Sequence, residues 1–183
     1  RARLRSGPPL HSYVFELRIS MSTISPTIDP SSFRTAVGYF ASGITIITSC
    51  FEGEPLGFTC QSFYSVSMSP PLVSFSVMKS SASYPKIRQA GRFAVNILSE
   101  AQESLSNQFA LRGTEKWQGV DWQASPLGNP LISGNLHWID CEIQSEYEAG
   151  DHIIVLGKVN SLNLNAPDIQ PLLYFKGQYR SIA

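Results

Sequence analysis

The sequence predicts a mainly β protein with short helices, folded as an antiparallel barrel. Roughly seven segments have the composition of strands and about three that of helices. The Gly150-Asp151 and Lys176-Gly177 connections are too short for a helical crossover, so the strands that they join must be antiparallel. Because closure removes exposed strand edges, a closed or partly open barrel with helices outside is favoured over a doubly wound parallel sheet.

Three helices are predicted from their end signals. Asp29-Pro30 is a typical helix start, because aspartate caps the first turn and proline tolerates the first helical position. Apolar residues then recur on one helical face, and Gly43 is placed to end this helix. The other two helices are predicted at 80–90, ended by Gly91, and at 99–111, begun by a Ser99–Gln102 capping box.

Strands are predicted where β-branched and apolar residues cluster between turn signals. These segments are 44–50, 56–62, 72–78, 92–98, 135–147 and 152–164, with a final hairpin of 172–175 and 178–182. Residues 112–134 are rich in Gly, Pro and Trp and predict a long ordered loop, of a kind that usually serves function or assembly. No repeat or dividing linker is evident, so 21–183 is expected to be one domain.

The composition excludes several function classes. Fourteen basic and fourteen acidic residues cancel, so the clustered positive charge that nucleic-acid binding requires is missing. Apolar runs are strand-sized, well below the roughly 18 to 20 residues that cross a bilayer, so no membrane contact is expected. Cys50, Cys60 and Cys141 form an odd set without a CxxC pair, which favours reduced thiols in a cytoplasmic protein. The histidines show no metal-ligand spacing, so no metal site is expected.

Residues 1–20 differ in character from the rest. They hold four arginines against one glutamate, and Met21 then opens a Ser/Thr-rich stretch. We expect an upstream extension without a fixed fold. An Arg-rich targeting peptide is the alternative, which Glu16 and the paired prolines make less favourable.

Three segments carry residues suited to binding chemistry. Segment 57–67 crowds hydroxyls, an amide and aromatics at a strand end, which suits a planar heterocycle, although a strand followed by a Ser-capped helical turn has the same composition. Segment 79–83, with Lys86 and Arg88 nearby, offers serines at a helix start, which suits a phosphate or ordinary capping. Segment 150–152 sets His152 at a strand mouth, where it either contacts a nicotinamide or belongs to a simple turn.

Six motifs in order resemble the short-chain flavin reductase family. They are 33–45, 57–67, 70–73, 91–98, 150–152 and 171–175, and the resemblance covers about 28–179. Members of this family are small NAD(P)H:flavin oxidoreductases with an FMN-binding split barrel. The sequence most resembles the actinobacterial reductase components of phenol, nitrophenol and steroid-ring hydroxylases. The resemblance therefore implies the split-barrel fold.

The resemblance also implies roles for individual residues. Those along the isoalloxazine ring would be Thr59, Cys60, Gln61, Ser62 and Phe63, with Ser65 and Val66 continuing toward the ribityl chain. Those at the phosphate would be Ser80, Ser81, Ser83 and Lys86. His152 would be the catalytic residue beside the nicotinamide, and Tyr179 would help to close that pocket. Cys60 and Gln61 stand where the family often has Ala and Asn, and serines stand where some relatives have lysines, which leaves the choice of FMN or FAD open.

The implied reaction is NADH + oxidised flavin → NAD⁺ + reduced flavin. The reduced flavin would diffuse to a separate aromatic monooxygenase, and the reductase would be a homodimer. NADH is expected over NADPH, because no arginine cluster is available for a 2′-phosphate. The alternatives are a flavin-binding barrel without turnover and an enzyme of the pyridoxamine-phosphate-oxidase type on a related barrel.

Overall fold

The computed structural model describes residues 27–113, 115–163 and 168–182. The expectation for residues 1–20 and the last residue of the predicted strand 152–164 lie outside these ranges. The helices are α1 (Pro30–Val37), α2 (Tyr84–Ala90) and α3 (Glu103–Ala110), and a 3-10 turn (Glu100–Gln102) precedes α3. No helix in these ranges is both long and apolar enough to cross a membrane.

Short strands make up most of the remaining regular structure. In chain order they are β1 (Ser42–Gly43), β2 (Thr45–Phe51), β3 (Glu54–Cys60), β4 (Tyr64–Met68), β5 (Pro71–Met78), β6 (Arg92–Ile97), β7 (Trp122–Ala124), β8 (Pro130–Ile132), β9 (His137–Ala149), β10 (His152–Leu162), β11 (Leu173–Phe175) and β12 (Gln178–Arg180). The mainly β prediction with short helices is therefore confirmed.

Seven strands form one antiparallel sheet in the order β3-β2-β6-β9-β10-β5-β4. The sheet curls so that its first and sixth strands meet just beyond Cys60. There the Ser62 hydroxyl accepts a hydrogen bond from the Ser76 backbone N–H at 2.8 Å and donates one to the Ser76 carbonyl at 2.9 Å. This contact joins one end of an antiparallel barrel, as the sequence predicted.

The β9–β10 hairpin positions His152. Its turn is Gly150-Asp151, and His152 opposes Ala149 in β9 and Met78 in β5. The backbone N–H of Lys79 donates to the Asp151 carbonyl at 2.9 Å, which holds this turn against the segment that leaves β5. His152 therefore lies at the barrel mouth, beside the 79–83 segment.

Two apolar clusters pack on the two faces of this sheet. One contains the inward-facing Phe75 and Phe93, whose rings meet edge to face with centroids 5.0 Å apart, together with Tyr84 and Ile87 of α2. The other contains Ile46, Leu98, Ile132, Leu172 and Phe109 of α3. Helix α3 and the C-terminal hairpin therefore cover one face, while α2 contributes to the other cluster.

The helix predicted at 80–90 begins only at Tyr84, since the serines before it form a turn. The structure also departs from the predicted elements in three other places. Helix α1 ends at Val37 and not at Gly43, because residues 42–43 pair with β11. Residues 64–68 form the edge strand β4 next to β5, so no helical turn follows β3. The predicted loop 112–134 contains the β7–β8 hairpin, which the sparse apolar pattern of that segment did not indicate.

Candidate functional site

A cavity of about 910 Å³ opens beside the barrel mouth. Its walls come from β3, the end of β5, the 80–83 turn, the end of α3 and the segment that follows α3. His152 also lines it, so all three segments that the sequence singled out contribute to one cavity. The lining residues among the predicted site residues are Thr59, Cys60, Gln61, Ser62, Ser80, Ser81, Ser83 and His152.

Strand β3 forms one wall, and its side chains alternate between two environments. The Cys60 side chain belongs to the barrel core and is 4% exposed, and burial raises the pKa of its thiol. The Thr59 hydroxyl donates to the Ser106 carbonyl of α3 at 2.5 Å. Gln61, just past the strand, is exposed on the cavity and makes no side-chain hydrogen bond within the described ranges. The Gln61 amide is therefore available at the end of this wall that lies next to the serine turn and His152, while the Glu54 carboxylate lies at the start of β3.

The serine turn after β5 faces this strand. The Ser81 hydroxyl accepts from the Tyr84 backbone N–H, the first of α2, at 3.3 Å, while the N-cap residue Ser83 makes no side-chain capping bond. The Ser80 hydroxyl accepts from Nη2 of Arg112 at 3.2 Å. Ser83 also lines the cavity. This turn therefore offers hydroxyls beside a guanidinium, which is a suitable environment for a phosphate.

Two cations on the cavity wall, Arg112 and Lys116, were missed by the sequence analysis. Nζ of Lys116 donates to the Phe109 carbonyl at 2.8 Å and to the Gly57 carbonyl at 3.4 Å. Burial lowers the pKa of this ammonium. The sequence feature that could have indicated these two cations is a pair of basic residues soon after a predicted helix. They lie in a long predicted loop, and such loops are usually functional.

His152 is half-buried at the edge of the cavity. Its Nδ1 lies 2.7 Å from Oδ1 of Asp151, and the hydrogen bond from His152 lowers the pKa of that carboxyl. The carboxylate therefore orients the ring, as neighbouring carboxylates commonly do for histidine. This arrangement leaves Nε2 as the nitrogen available to a ligand.

The remaining predicted site residues do not line the cavity. Phe63 packs against the barrel core, while Ser65 and Val66 lie on the exposed edge strand β4. Lys86 is exposed on α2. The Tyr179 hydroxyl lies 2.9 Å from the Ser106 hydroxyl and donates to Oδ1 of Asn107 at 3.0 Å, so it joins the C-terminal hairpin to α3. The cation beside the serine turn is thus Arg112 and not Lys86.

The donor set of the cavity fits an anionic nucleotide with a planar ring. Hydroxyls and two cations can meet phosphates, an imidazole and an amide can meet ring edges, and Trp117 and Phe109 add aromatic surface. Glu54 and Glu115 also line the cavity. Because these two carboxylates offset the two cations, the lining as a whole does not attract an anion by its net charge. An anion would instead have to be bound locally, by the Ser80–Arg112 pair or by Lys116.

Comparisons with known proteins agree with this chemistry. A sequence profile described as flavin reductase like domain matches residues 37–183. The reductase subunit HsaB of a flavin-dependent monooxygenase from Rhodococcus jostii is 45% identical over 155 residues, which are 85% of this chain and 79% of that protein.

Solved structures are also similar in fold. Nitrilotriacetate monooxygenase component B from Mycobacterium thermoresistibile superposes with a TM-score of 0.80 at 44% identity, covering 84% of this chain and 86% of that one. The NADH:FAD oxidoreductase SgcE6 of Streptomyces globisporus, solved with NAD and FAD fragments, gives a TM-score of 0.79 at 35% identity over 85% of this chain and 96% of that one. The split-barrel prediction is thereby confirmed.

Proposed function

This chain belongs to the flavin reductase like domain family, and from that premise we propose that it is the reductase component of a two-component flavin-dependent monooxygenase. It takes a hydride from a reduced nicotinamide nucleotide, passes it to a flavin and supplies the reduced flavin to a separate oxygenase. The observation that carries this function is the single cavity in which Gln61, the serine turn, Arg112 and His152 meet. The relatives favour neither a barrel without turnover nor an enzyme of the pyridoxamine-phosphate-oxidase type.

A bound flavin supplies the hydride acceptor, and the protein supplies binding and orientation. Gln61 and backbone groups from Thr59 to Ser62 bind the edge of the ring. The Cys60 side chain takes no direct part in this contact, because it faces the barrel core.

The serine turn and Arg112 bind the phosphate of the flavin. Ser80 and Arg112 already form a hydrogen bond at 3.2 Å, so a phosphate oxygen can meet hydroxyl and guanidinium together. Ser83 and the backbone of Ser81 complete this subsite. Lys86 is exposed and does not line the cavity, so it takes no part in this subsite.

His152 contacts the nicotinamide and sets its position over the ring. Its Nδ1 is paired with Asp151, so Nε2 can donate to the carboxamide of the nicotinamide or stabilise its approach. No acid–base step is required for hydride transfer, since the reacting centres need only lie about 3 to 3.5 Å apart. NADH is the expected donor, and either FMN or FAD is the acceptor.

We expect a homodimer and a cytoplasmic location. No residue of α1 is buried, and the side chains of Phe33 and Val37 are 58% and 51% exposed, which is unusual for an amphipathic helix. A second copy of the chain would cover this face. All three cysteines are free, which suits a reducing compartment. A monomeric mass by light scattering would remove the dimer from the proposal.

Rapid mixing under anaerobic conditions tests the function. NADH or NADPH is mixed with the protein and either FMN or FAD, and flavin absorbance is followed. We expect bleaching with NADH. The absence of bleaching with every donor–flavin pair would exclude a reductase.

His152→Ala tests the nicotinamide contact. This change should raise KM for NADH while flavin affinity, measured by fluorescence, stays the same. His137→Ala is the matched control, since His137 bonds with Asn163 away from the cavity lining and should leave both values unaltered. An unchanged KM in His152→Ala would contradict the assignment.

A further inference from the structure

Arg112 and Lys116 have no carboxylate partner among the described residues. The ion pairs found there join Lys79 to Glu148, Arg88 to Glu146 and His152 to Asp151. Arg112 instead donates to the Ser80 hydroxyl, and Lys116 donates to two backbone carbonyls. The described acceptors of both cations are neutral, and neither cation forms an ion pair with Glu54 or Glu115, the two carboxylates of the cavity lining.

Lys116 is the more unusual of the two cations. Desolvation lowers the pKa of its ammonium, which means that its surroundings disfavour the charge. One of its acceptors, the Phe109 carbonyl, belongs to the last turn of α3, where lysine is a common cap. Capping does not require a partly buried position on a cavity wall, because an exposed lysine can cap a helix without losing its hydration.

A ligand anion would account for the partly buried position of the Lys116 ammonium, because it would compensate the desolvated positive charge. It would also accept from the third N–H of the ammonium, since the two carbonyls accept from only two. The Ser80–Arg112 pair already suits one phosphate, and Lys116 bonds to different elements, the end of α3 and Gly57 in β3. The two cations therefore suit two phosphate groups and not one.

We propose that Lys116 binds the second phosphate of a dinucleotide, apart from the phosphate at Ser80 and Arg112. The inference rests on the proposed function, because it assumes a flavin or nicotinamide nucleotide in the cavity. FMN has one phosphate, whereas FAD and NADH each have a pyrophosphate. The cavity, at about 910 Å³, is near the upper end of the range for small-molecule sites, about 300 to 1,000 Å³, and so has room for a dinucleotide.

A ligand series separates the two phosphates. Riboflavin, FMN and FAD are titrated into the full chain by flavin fluorescence, and NAD⁺ is titrated by calorimetry. Lys116→Met should weaken binding of one dinucleotide about ten- to hundredfold, the usual effect of losing a charged hydrogen bond, while riboflavin and FMN keep their affinities. Arg112→Met should weaken both FMN and FAD but not riboflavin.

Lys86→Met is the matched control, because it removes the same charge from an exposed site outside the cavity lining. It should alter no affinity. Loss of FAD binding in Lys116→Met assigns the phosphate to the flavin, and loss of NAD⁺ binding assigns it to the nicotinamide nucleotide. Either result supports the inference.

Equal weakening of riboflavin, FMN and FAD by Lys116→Met would overturn the inference and leave Lys116 a helix cap. No weakening of any ligand would overturn it as well. Should that variant unfold, Lys116→Gln gives a second test, because its neutral side chain keeps part of the length and polarity of lysine: it should weaken the same dinucleotide while FMN keeps its affinity. Unchanged affinity for both dinucleotides in Lys116→Gln would overturn the inference. A wild-type chain that binds no flavin and bleaches none would instead refute the proposed function.

Discussion

Gly57→Ala should destabilise the protein through one contact on the cavity wall. A Cβ built at Gly57 lies 2.7 Å from Cε1 of Phe109, 3.0 Å from its Cδ1 and 3.2 Å from the Ile47 carbonyl oxygen. Carbon atoms pack best at about 3.5 to 4.0 Å, so the Phe109 ring would have to move by about 1 Å.

The ring has little freedom to make that movement. Phe109 is fully buried, and its centroid lies 5.0 Å from that of Trp117 in an edge-to-face pair. Overpacking of this kind costs about 1 to 3 kcal/mol. For a chain of this size, each kcal/mol corresponds to about 2 to 4 °C in Tm, so thermal unfolding followed by circular dichroism should show a decrease of about 2 to 12 °C.

Gly43→Ala is the control for this measurement. No heavy atom lies within 4 Å of a Cβ at Gly43, so its effect should stay within about 0.5 kcal/mol. In the double variant Gly57→Ala/Phe109→Leu the smaller side chain should recover part of the loss. If Gly57→Ala unfolded at the wild-type temperature, the packing of α3 against β3 described above would be wrong.

Two further predictions concern polar groups. Asn96, fully buried, accepts from the Ile132 backbone N–H at 2.8 Å and from the Asn135 amide at 2.9 Å. Asn96→Ala leaves these donors without an acceptor, and urea unfolding should show a loss of about 2 to 4 kcal/mol. Asp29 accepts from the Ser31 backbone N–H at 3.0 Å, and hydrogen bonds from the Ser31 and Ser32 side chains lower its pKa. The pKa of Asp29 is lower in the native state than in the unfolded state. The stabilisation of α1 by its carboxylate is therefore complete at pH values above the ordinary carboxyl pKa, and it is lost as the pH falls through the native pKa. The protection factors of the α1 amides, which correct for the intrinsic slowing of exchange in acid, should therefore fall at low pH, and Asp29→Asn should abolish that dependence.

Elements with strong local signals were predictable from the sequence. The Ser99–Gln102 capping box is present, with the Ser99 backbone N–H donating to the Gln102 amide oxygen at 3.1 Å. Strands β2, β5 and β6 were predicted to within one or two residues, because their β-branched and apolar composition suits a buried sheet. Strand β4 was not, since its serines favour a turn and its pairing with β5 supplies the stabilisation.

The end of α1 and the β7–β8 hairpin are determined by contacts between residues that are far apart in sequence. The apolar periodicity of the α1 region continues to Phe40, yet the helix ends at Val37 because residues 42–43 are held by β11. The β7–β8 hairpin is similarly fixed by its surroundings: the Asn96 amide oxygen accepts from Ile132 in β8. Neither interaction joins residues that are close in sequence, so no local pattern could indicate it.

The candidate site was predictable as segments but not as individual contacts. Cys60 ends β3 with its side chain in the core, and Gln61 follows it exposed on the cavity. Of the two departures from the family pattern, we therefore expect the Gln61 side chain to be the one that alters contacts with a ring edge. Lys86 was favoured for the phosphate because it lies near the serines in sequence. Arg112 bonds with Ser80 across 32 positions, a separation that only the fold could close.

Tyr179 does not line the cavity, but it joins the elements that form the cavity walls. Its hydroxyl lies 2.9 Å from that of Ser106, and the Ser106 carbonyl accepts from Thr59 in β3. The C-terminal hairpin, α3 and β3 are therefore fixed to one another by adjacent hydrogen bonds. Because hydride transfer depends on the position of two rings, we expect the residues that hold these walls in register to affect the reaction through geometry.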